Sequence, residues 1–126
     1  MNQTLILAGR ILLAAIFVIS GFGKLAGAEG FSGYLASLNF PAPLLMAYLV
    51  GAFELLAGLA VAVGFQTRIV AIALALFCVA TGVLAHADDQ TALLKNIALA
   101  GGFLVLAGSG AGSIALDKTA RERRYA

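Results

Sequence analysis

The apolar positions of this chain fall into four long runs that short polar segments separate. The runs cover about residues 4–25, 43–65, 69–85 and 92–109. Each has the length of a membrane-spanning helix, which needs roughly 17–25 residues. The pattern predicts an all-α integral membrane protein, a four-helix bundle in which residues 1–126 form a single transmembrane domain.

A shorter pattern occupies the segment between the first two runs. Phe31, Tyr34, Leu35 and Leu38 recur at the i, i+3, i+4, i+7 spacing of a helix face. That spacing predicts a short amphipathic helix at the membrane interface, with its aromatic rings near the lipid headgroups. Two further residues indicate where helices begin. Pro43 suits the first turn of the second span, and Thr91 is expected to cap the fourth.

The composition supports the membrane assignment and excludes several functions. Hydrophobic residues make up 62% of the chain and charged residues 11%, against roughly 25% charged in a soluble domain. The net charge of +2 is too small to indicate nucleic-acid binding. The single cysteine, Cys78, excludes an internal disulfide and a multi-cysteine metal site, and the single histidine, His86, excludes bis-histidine haem ligation within one chain.

The charged residues outside the runs indicate an orientation. Arg68 lies in the link between the second and third runs, whereas Asp88 and Asp89 lie in the next link. The tail, residues 117–126, is basic and carries Lys118, Arg121, Arg123 and Arg124. The positive-inside rule then predicts that both termini are cytoplasmic, in a bacterial inner membrane.

A secretory signal peptide is the alternative reading of the first run. Arg10 would end its charged region, residues 11–22 would be its apolar core, and Ala26-Gly27-Ala28 would be the cleavage site. The apolar residues before Arg10 fit this reading poorly.

Two ionisable residues, Arg10 and Glu54, lie inside the runs, where a charge is costly. Helical rise places Arg10 roughly 10 Å, and Glu54 roughly 15 Å, from the cytoplasmic ends of their spans. The sequence therefore predicts a buried Arg10–Glu54 ion pair, either as a structural lock or as part of a functional site. Ala47, Gly51 and Gly58 share a helical face with Glu54, so this face is expected to pack on protein.

A second polar group gathers at the predicted outer end of the bundle. These residues come from three spans, and they are Ser20, Lys24, His86, Lys95 and Asn96. If they face inward, they form a ligand-binding pocket for an anion or for the carbonyl oxygens of a quinone. The alternatives are that the lysines extend to the lipid headgroups and that His86 is solvated.

Several segments of the chain resemble the DoxX family of small bacterial membrane proteins. They are Gly9–Ala14, Ser20–Lys24, Glu54–Leu59, Gly64 with Thr67–Arg68, Lys95–Asn96 and Ser113–Asp117. The resemblance implies four spans in the inner membrane. Some members look like subunits of thiosulfate:quinone oxidoreductases, so it also implies a quinone as the ligand and an oxidoreductase subunit as the partner.

The first expectation is therefore a membrane protein that binds a small molecule or quinone within the bundle, or that serves as the membrane subunit of a redox assembly. The chain has no catalytic constellation, so an enzymatic role rests on the resemblance alone. Two other functions stay open, a scaffold without a ligand and a small transporter that works as a homo-oligomer.

Overall fold

The computed structural model describes residues 2–117, in which all the regular elements are helices. They are α1 Gln3–Ala26, α2 Ala28–Ser37, α3 Pro43–Val63, α4 Thr67–Ala85 and α5 Gln90–Ser109. Helices α1, α3, α4 and α5 are long and apolar enough to cross a membrane, which confirms the all-α four-span architecture. The short helix α2 lies in the expected segment, and its location at the membrane interface stays a prediction.

The predicted helix ends agree with the structure to within two residues, and two of the differences have a clear cause. Helix α4 begins at Thr67 because the Asp117 carboxylate accepts hydrogen bonds from Gln66 N at 2.7 Å and Thr67 N at 2.8 Å. Helix α5 is capped by Asp89, whose carboxylate accepts from Ala92 N at 3.1 Å, so the predicted Thr91 cap is wrong. Apart from Asp117, the predicted basic tail lies outside the described residues.

The four spans form two closely packed pairs, α1 with α3 and α4 with α5, and the two pairs touch each other less extensively. Gly21 explains the first pairing. A Cβ atom there would overlap the backbone nitrogen of Leu55 and lie 2.8 Å from Gly51 O, so only glycine allows the helices this close.

An apolar core joins the two pairs. Phe17 of α1 packs edge-on against Phe103 of α5, with ring centroids 5.5 Å apart, and Leu74 of α4 is fully buried beside them. Large apolar side chains on the outer faces of the spans are exposed, as contact with lipid tails requires.

The two ends of the bundle differ. We call the end that carries α2 and the α4–α5 loop the α2 end, and the opposite end, which carries the α3–α4 turn, the Arg10 end. Polar side chains enter the bundle at both ends. At the α2 end they line a cavity, whereas at the Arg10 end Arg10 binds main-chain carbonyls. The prediction that the Arg10 end is cytoplasmic remains a prediction.

Candidate ligand-binding cavity

A cavity of about 640 Å³ opens between the two helix pairs at the α2 end. Its size is within the range of small-molecule sites in proteins. The cavity is lined by all five predicted ligand-binding residues together with Glu54, and these are Ser20, Lys24, Glu54, His86, Lys95 and Asn96. The structure thus brings the predicted outer group together around one space, while its binding role stays a prediction.

The most buried polar residue of the cavity lining is Glu54, which forms an ion pair with Lys24. Lys24 Nζ lies 2.8 Å from Glu54 Oε1, and the Glu54 side chain is only 5% exposed. Lys24 Nζ also donates to Ser20 Oγ at 2.7 Å and lies 5.1 Å from the centre of the Phe31 ring. The ring face adds a favourable cation–π contact, so the ammonium group is held from three sides.

The predicted ion pair between Arg10 and Glu54 does not form. Arg10 is 2% exposed and binds main-chain carbonyls instead. Its Nε and Nη2 donate to Val61 O at 2.9 Å and Ala62 O at 2.8 Å, and its Nη1 donates to Ala111 O at 2.7 Å and Ile114 O at 2.8 Å.

Arg10 therefore ties the last turn of α3 to the segment that follows α5. The last carbonyls of a helix have no partner within the helix and carry partial negative charge, so a guanidinium group satisfies both their hydrogen bonds and their dipole. Its planar fork reaches several carbonyls at once, as an ammonium group could not. The structure gives Arg10 a structural role, remote from the cavity.

The direction in which helical side chains lean explains the change of partner. Side chains lean towards the N-terminus of their own helix. Helix α1 starts at the Arg10 end and α3 starts at the α2 end, so Lys24 and Glu54 lean towards each other. Arg10 leans the same way as Lys24, towards the start of α1, and from its position in the chain this direction leads away from Glu54 and onto the end of α3. Estimates of depth from residue counts alone miss this effect.

Helices α4 and α5 contribute an amide and a hydroxyl group to the opposite wall. Asn96 Nδ2 donates to Cys78 O at 3.2 Å and to Thr81 Oγ1 at 3.0 Å, while Thr81 Oγ1 donates to Phe77 O at 2.9 Å. Asn96 also lines the cavity, and its side-chain carbonyl oxygen makes no hydrogen bond among residues 2–117, so it can accept one from another partner. The sequence indicated Asn96 but gave no reason to select Thr81.

His86 and Lys95 stand nearer the mouth of the cavity. Lys95 is exposed and His86 is half-buried. Neither side chain makes a hydrogen bond or an ion pair with another group among residues 2–117. Both therefore have donors available to a ligand; that Lys95 extends to the lipid headgroups and that His86 is solvated stay alternatives.

Helix α2 covers the cavity with aromatic side chains. The rings of Phe31 and Tyr34 stack with centroids 6.2 Å apart, and Tyr34 Oη donates to Ala85 O at 3.1 Å across to the end of α4. The sequence assigned these aromatics to the headgroup region. Their role as a cover depends on how α2 folds back, which the local pattern does not specify.

The composition of the cavity lining resembles that of small-molecule sites. Most of the lining is apolar, and the polar groups supply a few fixed donors and acceptors, as in typical small-molecule sites. Among residues 2–117 no three His, Cys, Asp or Glu side chains come together to hold a metal ion.

Four spans around a cavity with an internal ion pair define a small multi-pass membrane protein with a candidate ligand site. The comparison with known families identifies it further. The DoxX family profile matches residues 5–87, from α1 to the end of α4, and the chain belongs to the DoxX family.

Two curated relatives cover nearly the whole chain. Inner membrane protein YphA of Escherichia coli (strain K12) is 35% identical over 93% of this chain and 91% of its own length. Inner membrane protein YqjF of the same organism is 34% identical over 90% of this chain and 89% of its own. A third, putative oxidoreductase CatD of Bacillus subtilis (strain 168), is 38% identical over 53% of this chain and 48% of its own. No solved structure matches the chain.

Proposed function

We propose that this DoxX protein binds a small, mostly apolar molecule with carbonyl groups, of which a quinone is the best example, in the cavity at the α2 end. The observation that carries the proposal is the Lys24–Glu54 pair, which is held inside an open cavity of about 640 Å³. A pair that served only to hold helices together would be expected in a dry, packed interior.

The hydrogen-bonding capacity of Lys24 supports a carbonyl ligand. An ammonium group has three donors, and Glu54 Oε1 and Ser20 Oγ accept two of them. The third makes no hydrogen bond within residues 2–117 and competes only with the weaker contact to the Phe31 ring, so a ligand oxygen could accept it. Because Glu54 already balances the charge of Lys24, a neutral acceptor fits this end of the cavity better than an anion does.

The other wall supports a ligand with a second polar group. His86 and Lys95 supply donors near the mouth of the cavity, and Asn96 supplies its carbonyl oxygen as an acceptor. Aromatic side chains of Phe31 and Tyr34 would pack on a flat ring between these groups. A quinone, with carbonyl oxygens on opposite sides of one ring, suits this arrangement.

The name of CatD, a putative oxidoreductase, supports a redox setting for such a ligand. In this proposal the chain holds the quinone, and a partner subunit carries out the electron transfer.

Native mass spectrometry of the detergent-purified protein, with solvent extraction of any bound molecule, tests the proposal. The decisive variant is the double substitution Lys24→Met with Glu54→Leu. It removes both charges together, so no buried charge is left unpaired and the bundle should still fold. We expect it to bind a decyl-benzoquinone at least about tenfold more weakly than the wild type, since charged hydrogen bonds are lost.

The matched control is Glu29→Leu, which removes a carboxylate from an exposed position of α2 outside the cavity lining. It should bind like the wild type. Equal binding by the folded double variant and the wild type, or no binding by the wild type, would refute the proposed function.

The proposed orientation places both termini in the cytoplasm and the α2 end at the periplasmic side of the inner membrane. It rests on Arg68 at one end of the bundle and on Asp88 and Asp89 at the other. Fusions of the C-terminus to a reporter active only in the cytoplasm and to one active only in the periplasm test it. Activity of the periplasmic reporter would reverse the orientation.

A further inference from the structure

A second concave surface lies on the outside of the bundle, in the seam between α3 and α4. It has a volume of about 500 Å³ and is lined by apolar side chains alone, which are Leu49, Val50, Phe53, Ala73, Leu76, Phe77 and Ala80. We call it the α3–α4 groove. Leu49 and Leu76 are 55% and 68% exposed, so the groove faces the lipid.

The groove exists because α3 and α4 belong to different helix pairs. These two helices touch each other less extensively than α1 touches α3 or α4 touches α5. Ala73 and Ala80 have short side chains, which leave the seam unfilled over roughly 10 Å of α4. Phe53 and Phe77 form its floor, with ring centroids 5.1 Å apart.

The groove adjoins the cavity across a shared wall. Val50, Phe77 and Ala80 line both spaces, so these residues form a common wall between the lipid-facing groove and the polar site. At the aqueous end, α2 covers part of the cavity, where Tyr34 reaches Ala85, beside the mouth that His86 and Lys95 line. A rotation of the Val50 or Phe77 side chain would join the two spaces and open a lateral route for a molecule that is dissolved in the bilayer.

From this shared wall we infer that the cavity takes its ligand from the lipid phase, past Val50 and Phe77, and that the α3–α4 groove holds the ligand's hydrocarbon chain. The inference rests on the proposed function and narrows its ligand to an amphiphile, with a polar ring or head at Lys24 and Glu54 and a chain that lies along Phe53 and Phe77. A polar metabolite without a chain is a different class of ligand and would leave the groove to lipid.

The groove contributes shape selectivity. A hydrocarbon chain is already in an apolar solvent before it binds, so its contacts in the groove add van der Waals packing and no hydrophobic transfer. Packing of this kind is small for each atom pair and adds up over a chain. Filling the groove with a side chain should therefore weaken the binding of a ligand that has a hydrocarbon chain and leave the binding of a chainless ligand unchanged.

Ala73→Phe is the test variant, because Ala73 lines the groove and does not line the cavity. Ala98→Phe is the matched control, since Ala98 is an exposed alanine of α5 that lines neither space. Binding of two probes is measured in lipid nanodiscs, a benzoquinone ring without a side chain and the same ring with a decyl chain. Comparing each variant with the wild type cancels the different partitioning of the probes into lipid.

We expect Ala73→Phe to raise the Kd of the decyl probe about tenfold and to leave the Kd of the chainless probe unchanged. Ala98→Phe should change neither Kd. An equal effect of Ala73→Phe on both probes, or no effect on either, would overturn the groove assignment and leave the proposed function standing. Failure of both probes to bind the wild type would overturn the proposed function and this inference with it.

A measurement on the wild type alone covers the case in which Ala73→Phe does not fold. A decyl probe with a photoreactive diazirine at the end of its chain should label Leu49, Phe53 or Leu76, which peptide mass spectrometry would locate. Labelling confined to α1 or α5 would overturn the inference.

Discussion

The pairing of Glu54 with Lys24, and not with Arg10, can be measured by double-mutant cycles. The first cycle combines Lys24→Met with Glu54→Leu, and the second combines Arg10→Met with Glu54→Leu. Each cycle compares the free energies of unfolding of the wild type, the two single variants and the double variant. The difference isolates the interaction between the two side chains.

The structure sets the size of the first coupling energy. Opposite charges 2.8 Å apart attract by about 6 kcal/mol at an effective dielectric constant of 20. The cost of removing both groups from water offsets much of that attraction. The Lys24 side chain remains 23% exposed, so solvent screening reduces the attraction further. We therefore expect a coupling energy of about 2 kcal/mol between Lys24 and Glu54. For Arg10 and Glu54 we expect less than about 0.5 kcal/mol, because Arg10 binds carbonyls elsewhere.

The single variants Lys24→Met and Glu54→Leu should also differ in stability. Glu54→Leu leaves a lysine whose long side chain can extend towards water, whereas Lys24→Met leaves a carboxylate that is only 5% exposed. Lys24→Met should therefore destabilise the fold more than Glu54→Leu does. The assay is reversible unfolding in mixed detergent micelles, followed by circular dichroism. A Lys24–Glu54 coupling below about 0.5 kcal/mol, or a larger one for Arg10 and Glu54, would refute the assignment of partners.

Three further predictions concern the packing and the Arg10 end, and the same unfolding assay checks them. Gly21→Ala should destabilise the fold by about 2 kcal/mol, because its Cβ would overlap Leu55 N. Gly23→Ala has open space around its Cβ and should be neutral or slightly stabilising. Equal effects of the two variants would contradict the close approach of α1 and α3. Arg10→Met should lower the free energy of unfolding by at least about 3 kcal/mol, since four carbonyls lose a charged donor. A decrease of less than about 1 kcal/mol, roughly the value of one ordinary hydrogen bond, would argue against the structural role. Asp117→Ala should cost about 1–2 kcal/mol by removing the cap of α4, and an unchanged stability would show that the cap contributes nothing.

The face of α1 that points inward was predictable because its residues repeat every seven positions. Arg10 and Phe17 are buried, and Lys24 lines the cavity, as a shared helical face requires. The same argument correctly predicted that the face of α3 with Ala47, Gly51, Glu54 and Gly58 packs on protein.

The partners of the buried charges were not predictable in the same way. The sequence shows that Arg10 and Glu54 lie within apolar runs, but not how far α1 extends beyond the end of α3 or which way each side chain leans. The cap on α4 was missed for a similar reason, since Asp117 is fifty positions from Thr67 in sequence. The bonds of Arg10 to Ala111 and Ile114 and the cap on α4 both depend on the segment after α5 folding back across the Arg10 end.

What the sequence by itself determined is the class of the protein, its four spans and the inward faces of α1 and α3. These follow from the length and period of apolar runs, because in a bilayer the backbone must form helices and polar residues must turn away from lipid. The tertiary structure decided the pairing of α1 with α3 and of α4 with α5, the partners of Glu54 and Arg10, and the cavity between the pairs. Those features arise from contacts between residues far apart in the chain, on which a local pattern carries no information.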